Sequence, residues 1–389
     1  MKIVVVGGKL QGVEATYLAH KAGWDVILVD KDSSAPAIGL CDEYHQLDLR
    51  IEEPKLSEIF QKADLIVPAI EDQVILNYIQ KLADREGYPL AFDSSAYAIS
   101  SSKRKSDKLF TQNGISAPAY WPHCGLPVML KPSDLSGSLG VNKMFDPEQL
   151  KSFLKKLEAD SGDWIVQEYL EGPSYSLEVL GFKGIPLTLQ VTDLEMDEGY
   201  DCKRVIAPTI LDPSQEKRFR EISAKIAGLI NLHGIMDVEI IDHNGSLKVL
   251  EIDARLPSQT PTVVYKSTGI NMLTALNDIY VRHRIPVLTD WSGQKTRAVI
   301  YEHIRVKGDQ VETLGEHIMA GVGHLSYIEG FFGADEALTN YQPGASSWVA
   351  TLIITNATRK EAWEKRCDVI GNIIKHCHLS LYVDSVPND

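Results

Sequence analysis

Glu239 and Glu251 stand twelve residues apart in the segment DVEIIDHNGSLKVLEIDAR, which runs from Asp237 to Arg255. Between them His243-Asn244-Gly245-Ser246 is a turn signal, and VEII and LKVLEI on either side alternate apolar and polar positions. The segment is expected to be a β-hairpin whose strands each send a Glu outward. Asp253 and Arg255 follow on the face of Glu251, because strand side chains alternate. Three acids converging on one face repel unless a divalent cation lies among them. An oxygen-rich, partly hydrated set of this kind suits Mg²⁺, which takes one or two carboxylates plus substrate phosphates. Arg255 beside them can neutralise a phosphoryl oxygen. An isolated Glu pair on a hairpin would be a solvated surface feature; here the rest of the chain supplies a nucleotide site.

Two glycine-containing loops are candidates for anions. Gly7-Gly8-Lys9-Leu10-Gln11-Gly12 follows an apolar run and opens a helix, so free backbone N–H groups and the helix dipole face outward. With Asp30 downstream this could be a dinucleotide turn. The spacing is not the full fingerprint, however, and Lys9 and Gln11 are bulky where a pyrophosphate would lie. The same amides of Gly8, Lys9, Leu10 and Gln11 suit the carboxylate or phosphate of another ligand. Lys131 ends the strand PVMLKP directly before Ser136-Gly137-Ser138-Leu139-Gly140, where small residues let amides reach phosphate oxygens and the lysine adds charge. Lys103, ahead of a helix, is a further cation. Gln167-Glu168-Tyr169-Leu170 with Glu178 beyond it offers an extended backbone edge, an apolar slot for a base and an acid for ribose hydroxyls.

The elements that must hold these residues follow from periodicity. Ile3–Gly7, Trp24–Asp30, Ala63–Ile70 and Tyr88–Phe92 read as strands, separated by helices at 13–22, 55–61 and 73–86. This is a doubly wound half-sheet, a Rossmann-like unit over residues 1–100. Residues 101–290 hold the second anion loop and the acidic hairpin, with the natural lid at about 126–180. Within it Trp164–Gly172 and Ser174–Phe182 read as paired strands. Residues 291–389 read as a small mixed α+β cap.

Taken in order, these features resemble the ATP-grasp carboxylate-amine ligases: a basic residue before a helix, Lys plus a glycine-rich loop, the EYL strand, and Glu239, Glu251, Asp253 and Arg255 at the family's spacing. The resemblance covers about residues 1–290 and implies an α/β ATP-grasp fold with ATP and Mg²⁺ as cofactors. On that basis Lys103, Lys131, Ser136, Gly137 and Ser138 would face phosphates. Glu168 and Leu170 would hold adenine, and Glu178 would sit near ribose. Glu239, Glu251 and Asp253 would bind Mg²⁺, and Arg255 would steady an acyl phosphate. Many members carry Asn where this chain has Asp253, and Ser174 stands where some have an acid. VVGGKLQGVEATYLAHKAGWDVILVDK, SKRKSDKLFTQNGISAPAY and LPSQTPTVVYKSTGINM further resemble the pyrrolysine-biosynthesis subgroup. That subgroup joins the carboxylate of 3-methyl-D-ornithine (or D-ornithine) to the ε-amine of lysine.

Substrate contacts are expected at Glu14, Glu71 and Asp72, near strand C-termini and the first helix, where open α/β sheets bind ligands. Their charge could pair with diamino acids, although Glu71-Asp72 could equally start a helix. Lys203 and Arg204 lie in EMDEGYDCKR, a polar stretch that could close over phosphate. Ser258, Gln259 and Thr260 follow the hairpin and could touch the acceptor. Two other functions compete. One is an ATP-grasp enzyme that activates bicarbonate, of the biotin carboxylase or carboxyaminoimidazole synthase type. The other is an NAD-dependent oxidoreductase built on the first hundred residues, which leaves the hairpin unexplained.

At 389 residues, with 44% hydrophobic and 24% charged content, the chain is expected to be globular with two or three domains. A net charge of -14 argues against a nucleic-acid partner. Five scattered cysteines fit a reduced compartment, and no stretch is long and apolar enough for a membrane. The expectation is a cytoplasmic, homodimeric enzyme that acts on lysine and 3-methylornithine and binds neither nucleic acid nor membrane.

Overall fold

The computed structural model describes residues 1–51, 55–133, 140–159, 163–288 and 296–387. A parallel sheet opens the chain: β1 (Lys2–Val6), β2 (Asp25–Asp30), β3 (Glu43–Gln46) and β4 (Leu65–Pro68) pair in the order β3-β2-β1-β4. From Ile3 to Val6 the first strand is apolar because both its faces are covered. Ile3 and Val5 join one core with Leu18 of the helix Leu10–Lys21. Val4 and Val6 join another with Leu76 and Ile79 of the helix Gln73–Glu86. The strand expected at Tyr88–Phe92 is reduced to one parallel bridge between Ile66 and Leu90. Pro89 lacks the N–H that a continuing ladder needs there.

A small antiparallel sheet follows, with β5 (Val128–Pro132), β6 (Asn142–Met144) and β7 (Trp164–Glu168) in the order β6-β5-β7. The expected pairing of Trp164–Gly172 with Ser174–Phe182 does not form. β7 pairs with β5, whereas β8 (Ser174–Phe182) belongs to a different sheet. The chain changes sheets at Gly172, whose φ is +149°. A Cβ there would lie 2.0 Å from the Asp242 carbonyl oxygen, so the crossing requires glycine.

The central sheet takes β8, β9 (Ile185–Met196), β10 (Cys202–Ala207), β11 (Gly234–His243), β12 (Ser246–Asp253), β13 (Ala298–Lys307), β14 (Gln310–Thr313), β15 (Ser326–Glu329), β16 (Glu336–Thr339), β17 (Ser347–Asn356) and β18 (Leu381–Asp384). Their order is β12-β11-β8-β9-β10-β13-β17-β16-β15, with β14 beside β13 and β18 beside β14. Residues 298–384 therefore extend the sheet that carries the acidic hairpin, through β10 and β13, instead of folding onto a sheet of their own. Among the described residues no helix is long and apolar enough to cross a membrane.

Two expected substrate contacts have structural posts instead. Arg204 lies on β10 and is 1% exposed, bonded to Glu302, which is fully enclosed, to Glu195 and to Asp384 at 2.8 Å. Arg366 shares Glu302 at 2.8 Å. A guanidinium so enclosed does not swing towards a ligand, and removing one partner of a buried pair costs roughly 3–5 kcal/mol. Lys203 is likewise buried and reaches Asp384 at 2.6 Å.

Glu14 is also buried, on the helix Leu10–Lys21, and accepts the Thr262 N–H at 2.6 Å near the start of the helix Thr260–Thr268. Burial pushes its carboxyl up to about 7 from an ordinary 4.5, against the pull of the Thr262 donors. Because the folded state holds this proton more tightly than the unfolded chain, its stability is fully present below pH 4.5 and lost as pH rises through 7. The difference is worth about 3 kcal/mol, at roughly 1.4 kcal/mol per pKa unit. In Glu14→Gln, which keeps an acceptor for Thr262, urea unfolding should show the variant gaining on the wild type by about that amount between pH 4.5 and pH 8. A difference that stays constant with pH would refute a proton-holding Glu14.

Candidate active site

The hairpin forms between β11 and β12, closed by Asn244 and Gly245, both at positive φ (54° and 80°), as a two-residue turn of the primed type requires. The register sets Glu239 directly opposite Glu251 and Asp237 directly opposite Asp253. Four carboxylates thus share one face. Asp237, which was not among the expected ligands, was legible as the residue two before Glu239 on the same strand face. Like charges directly across a ladder are destabilising, and at about 4 Å each pair repels by roughly 4 kcal/mol for an effective dielectric near 20.

Two cations offset part of this. Lys103 at the start of the helix Lys103–Gln112 donates to Glu251 at 2.9 Å. Arg255 lies 2.7 Å from Asp253 and also bonds Glu71, which accepts from Gln11 at 3.0 Å. Burial opposes the charge of Arg255, but Asp253 and Glu71 more than restore it. Lys131 stands near Glu251, yet burial holds its ammonium below the usual lysine range. Burial pushes Asp253 up to about 7 and raises Glu239 well above the carboxylate range, with Asp237 and Glu251 adding repulsion. The Asp253 Oδ1 oxygen is buried with no hydrogen-bond partner. A divalent cation answers both the repulsion and the orphaned oxygen, so this donor set fits Mg²⁺.

Four cavities meet around this face. The first, of about 520 Å³, is lined by Gly8, Lys9, Leu10, Gln11, Glu71 and Asp72, and reaches Arg255 and Glu316. A second, of about 400 Å³, contains Glu71, Lys103, Glu251 and Asp253. A third, of about 150 Å³, is bounded by Ser258, Gln259, Thr260, Arg255, Glu316 and the four hairpin acids. The fourth, of about 420 Å³, runs from Lys103, Lys131, Glu239 and Glu251 to Glu168, Leu170, Met129 and Ile241. It lies between the small sheet and the central one.

The expected residues divide accordingly. Gly8 donates its N–H to Asp30 at 2.6 Å, so Asp30 closes the glycine turn and is not presented to a ribose. A Cβ on Gly12 would lie 2.1 Å from the Gly7 carbonyl oxygen, which explains that glycine without a bound pyrophosphate. Asp72 caps the helix Gln73–Glu86 through Val74 and Ile75 N–H while still facing the first cavity. Glu168 lines the fourth cavity, but its carboxylate accepts from Ala119 N–H at 2.8 Å and from Lys248. Burial opposes that charge, and these donors hold the carboxyl below its ordinary value.

Glu178 departs from its expected place. It lies opposite Asp237 on β8, fully buried, and is absent from the lining of the fourth cavity. Burial, then the Asp237 charge, push its carboxyl up, against the pull of the Thr260 side chain. Ser258 donates to Glu316 at 2.7 Å, and Gln259 sits at φ +68°, ψ −63°, with Thr260 N–H bonded back to Ser258 O at 2.8 Å. That tight three-residue turn is strained, and strain of this kind clusters at functional sites. Ser136, Gly137 and Ser138 lie outside the described residues. Glu316, His317 and Asp201, which join the first cavity, carried no local sequence signal because they come from distant elements.

Among the described residues Asp197, Asp201 and His317 also bring ligand atoms within 4.8 Å of one another. Their oxygens are already engaged: Asp197 by Gly199, Asp201 and Gly315 N–H, and Asp201 by the backbone and ring of His317. This cluster ties the β9–β10 connection to the segment after β14.

A small sheet folded over a larger one, with lysines and paired acids in the cleft between them, defines an ATP-grasp enzyme. Residues 100–259 match the ATP-grasp domain family and residues 3–91 the PylC-like N-terminal domain family. The chain is 34% identical to the 3-methyl-D-ornithine–L-lysine ligase of Methanosarcina barkeri, covering 94% of this chain and 95% of that one. It is 36% identical to the ligase of the same name from Methanosarcina mazei, covering 92% of each. The fold is similar to an L-amino acid ligase from Bacillus licheniformis (TM-score 0.71, 15% identity, 95% and 97% of the two chains). It is also similar to the biotin carboxylase domain of a Hydrogenobacter thermophilus 2-oxoglutarate carboxylase (TM-score 0.72, 18% identity, 95% and 89%). The chain belongs to the 3-methyl-D-ornithine–L-lysine ligase family of ATP-grasp enzymes. It is an ATP-dependent ligase that uses Mg²⁺ and acts on small amino-acid substrates.

Because a carboxyl must lose its proton to hold a metal, Mg²⁺ affinity should rise with pH through about 7, where Asp253 titrates, and keep rising while Glu239, raised well above the carboxylate range, gives up its own. Thermal shifts on adding MgADP at pH 5.5 and pH 8 check this; a shift independent of pH would contradict the assignment. Glu251→Ala should abolish ADP formation without loss of thermal stability, since it relieves repulsion, and retained turnover would remove Glu251 from the metal set.

Proposed function

We propose that this enzyme forms an amide between the carboxylate of 3-methyl-D-ornithine, or D-ornithine, and the ε-amine of lysine, releasing ADP and phosphate, in pyrrolysine biosynthesis. The observation that carries the reading is the convergence of separate cavities on Arg255, which lines the first and third while its partner Glu71 lines the first and second. A ligase with three substrates needs such a junction. The single-lobed alternative, an oxidoreductase on the N-terminal sheet, leaves the junction without a role.

A carboxylate is a poor electrophile, so it must first take the γ-phosphoryl group of ATP. In the fourth cavity Lys103 and Lys131 face the triphosphate, and the backbone at Glu168 and Leu170 runs along the base. Glu239, Glu251 and Asp253 would hold Mg²⁺, which would supply charge neutralisation for the phosphate oxygens. The first cavity takes the diamino acid. Its wall carries Asp48, Glu71 and Asp72 for two amino groups, and the Lys9–Gln11 backbone at the start of a helix for a carboxylate or its phosphate. Arg255 steadies the acyl phosphate, and the third cavity, beside Ser258, Gln259 and Thr260, admits the attacking amine. Enclosure between the two sheets keeps water from the acyl phosphate.

Five unpaired cysteines support a reducing, cytoplasmic setting. The Hydrogenobacter domain is described as a dimer, and a homodimer is the assembly we propose here.

Mass spectrometry after incubation with ATP, Mg²⁺, lysine and D-ornithine should show the condensed amide, with ADP release requiring the D-diamino acid. ADP release driven by bicarbonate instead would overturn the reading. Glu71→Gln should raise the KM for the diamino acid about tenfold or more, the scale of one lost charge-assisted contact, and leave the KM for ATP within about twofold. Equal rises in both would take Glu71 out of the amino-acid cavity.

A further inference from the structure

The segment after β18 reaches the nucleotide cleft from the far end of the chain. β18 runs parallel to β14, from Leu381 beside Gln310 to Asp384 beside Thr313. Asp384 is then fixed by several donors. Lys203 reaches its Oδ1 at 2.6 Å, and Arg204 and the Tyr382 hydroxyl reach its Oδ2 at 2.8 Å and 2.9 Å. Lys203 also donates to the Ser385 carbonyl oxygen. Lys203 and Arg204 are each 1% exposed, so this anchor is built into the central sheet and is not a surface contact. Arg204 and Lys203 together hold the Asp384 carboxyl down at about 2, although burial alone would raise it.

Immediately beyond the anchor, Val386 and Pro387 form part of the wall of the fourth cavity. Val386 is 63% exposed, an apolar side chain held at a cleft and covered by little of the protein itself. Other apolar residues of that cavity include Met129, Leu170, Met196, Ile241 and Leu250, and its charged end holds Lys103, Lys131, Glu239 and Glu251. Only the nucleoside part of ATP presents a surface that an apolar Val-Pro pair complements, because the triphosphate and its cation need charge.

We propose that Val386 and Pro387 are nucleotide-positioning residues, an apolar strap anchored through Asp384 to Lys203 and Arg204, which packs against the nucleoside of bound ATP. The proposal rests on reading the fourth cavity as the ATP site. It gives the buried cations of β10 a role in nucleotide binding at a distance: they hold the strap in place without touching the ligand. It also ties residues 384–387 to a cleft otherwise built from residues 103–251.

The test is binding of MgADP to the full chain by titration calorimetry, with KM values for ATP and lysine alongside. Val386→Asp places a carboxylate where the nucleoside packs and leaves the anchor intact. It should weaken MgADP and raise the KM for ATP about tenfold, the scale of one buried valine contact, with the KM for lysine within about twofold. Val386→Ile, which keeps the apolar surface, should restore both to within about twofold of the wild type. Lys131→Ala separates this proposal from the site reading. If Lys131→Ala weakens MgADP and Val386→Asp does not, the strap is wrong and the cleft stands. If neither weakens it, both fall. Equal losses for Val386→Asp and Val386→Ile would also overturn the strap, since they would mark a general disturbance and not a lost apolar contact.

Discussion

The enzyme is organised around a repulsion. Glu239 faces Glu251 and Asp237 faces Asp253 across one β-ladder, an arrangement that costs stability by itself. Lys103 and Arg255 cover only part of that charge, through Glu251 and Asp253, and Asp253 keeps an oxygen with no partner. A sheet tolerates this only if it is held rigid from elsewhere. Here β11 is paired along most of its length to β8 on its other side, and eight further strands continue the sheet beyond that. The stability surplus of the sheet supports a functional face that is poor at holding itself together, as is common for sites that bind highly charged ligands.

Charge pairs recur as joints between elements distant in sequence. Glu302 sits between Arg204 and Arg366, linking β10, β13 and the helix Arg359–His376. Glu336 accepts from Lys21 at 2.8 Å and from Lys266 at 2.6 Å, linking the N-terminal unit to β16 and the helix Thr260–Thr268. Glu336 is held at about 2 by these donors against the effect of burial. Such pairs add little net stability over apolar packing, but they fix one register of docking. The first cavity at Arg255 depends on that docking, since its wall draws on residues from Val6 to Ala320.

What could be read from the residues depended on how local the causal interaction is. The hairpin was legible because alternation and an Asn-Gly turn are written within twenty residues, and its register followed. The same alternation pointed to Asp237, which the expected ligand set left out. Glu178 was expected at a ribose because it follows the EYL strand. The sheet change at Gly172 sends β7 and β8 apart and sets Glu178 against Asp237 instead. Arg204 looked like a loop residue until β13 and β18, a hundred and more residues later, enclosed it. Glu14 was read as a ligand for its charge, whereas its neighbours Val13 and Ala15 share its burial. Strand order and partner choice are long-range properties, and a single sequence states them only faintly.

The crossing at Gly172 has a consequence for attempts to redesign this enzyme. Every side chain larger than hydrogen would strike the backbone of Asp242 there, while Gly184, in the loop joining β8 and β9, has open space around it and needs only a left-handed backbone. A combinatorial library spanning both positions should therefore return one fixed letter and one that admits asparagine. The small sheet is joined to the rest at a point where evolution has a single amino acid to choose from.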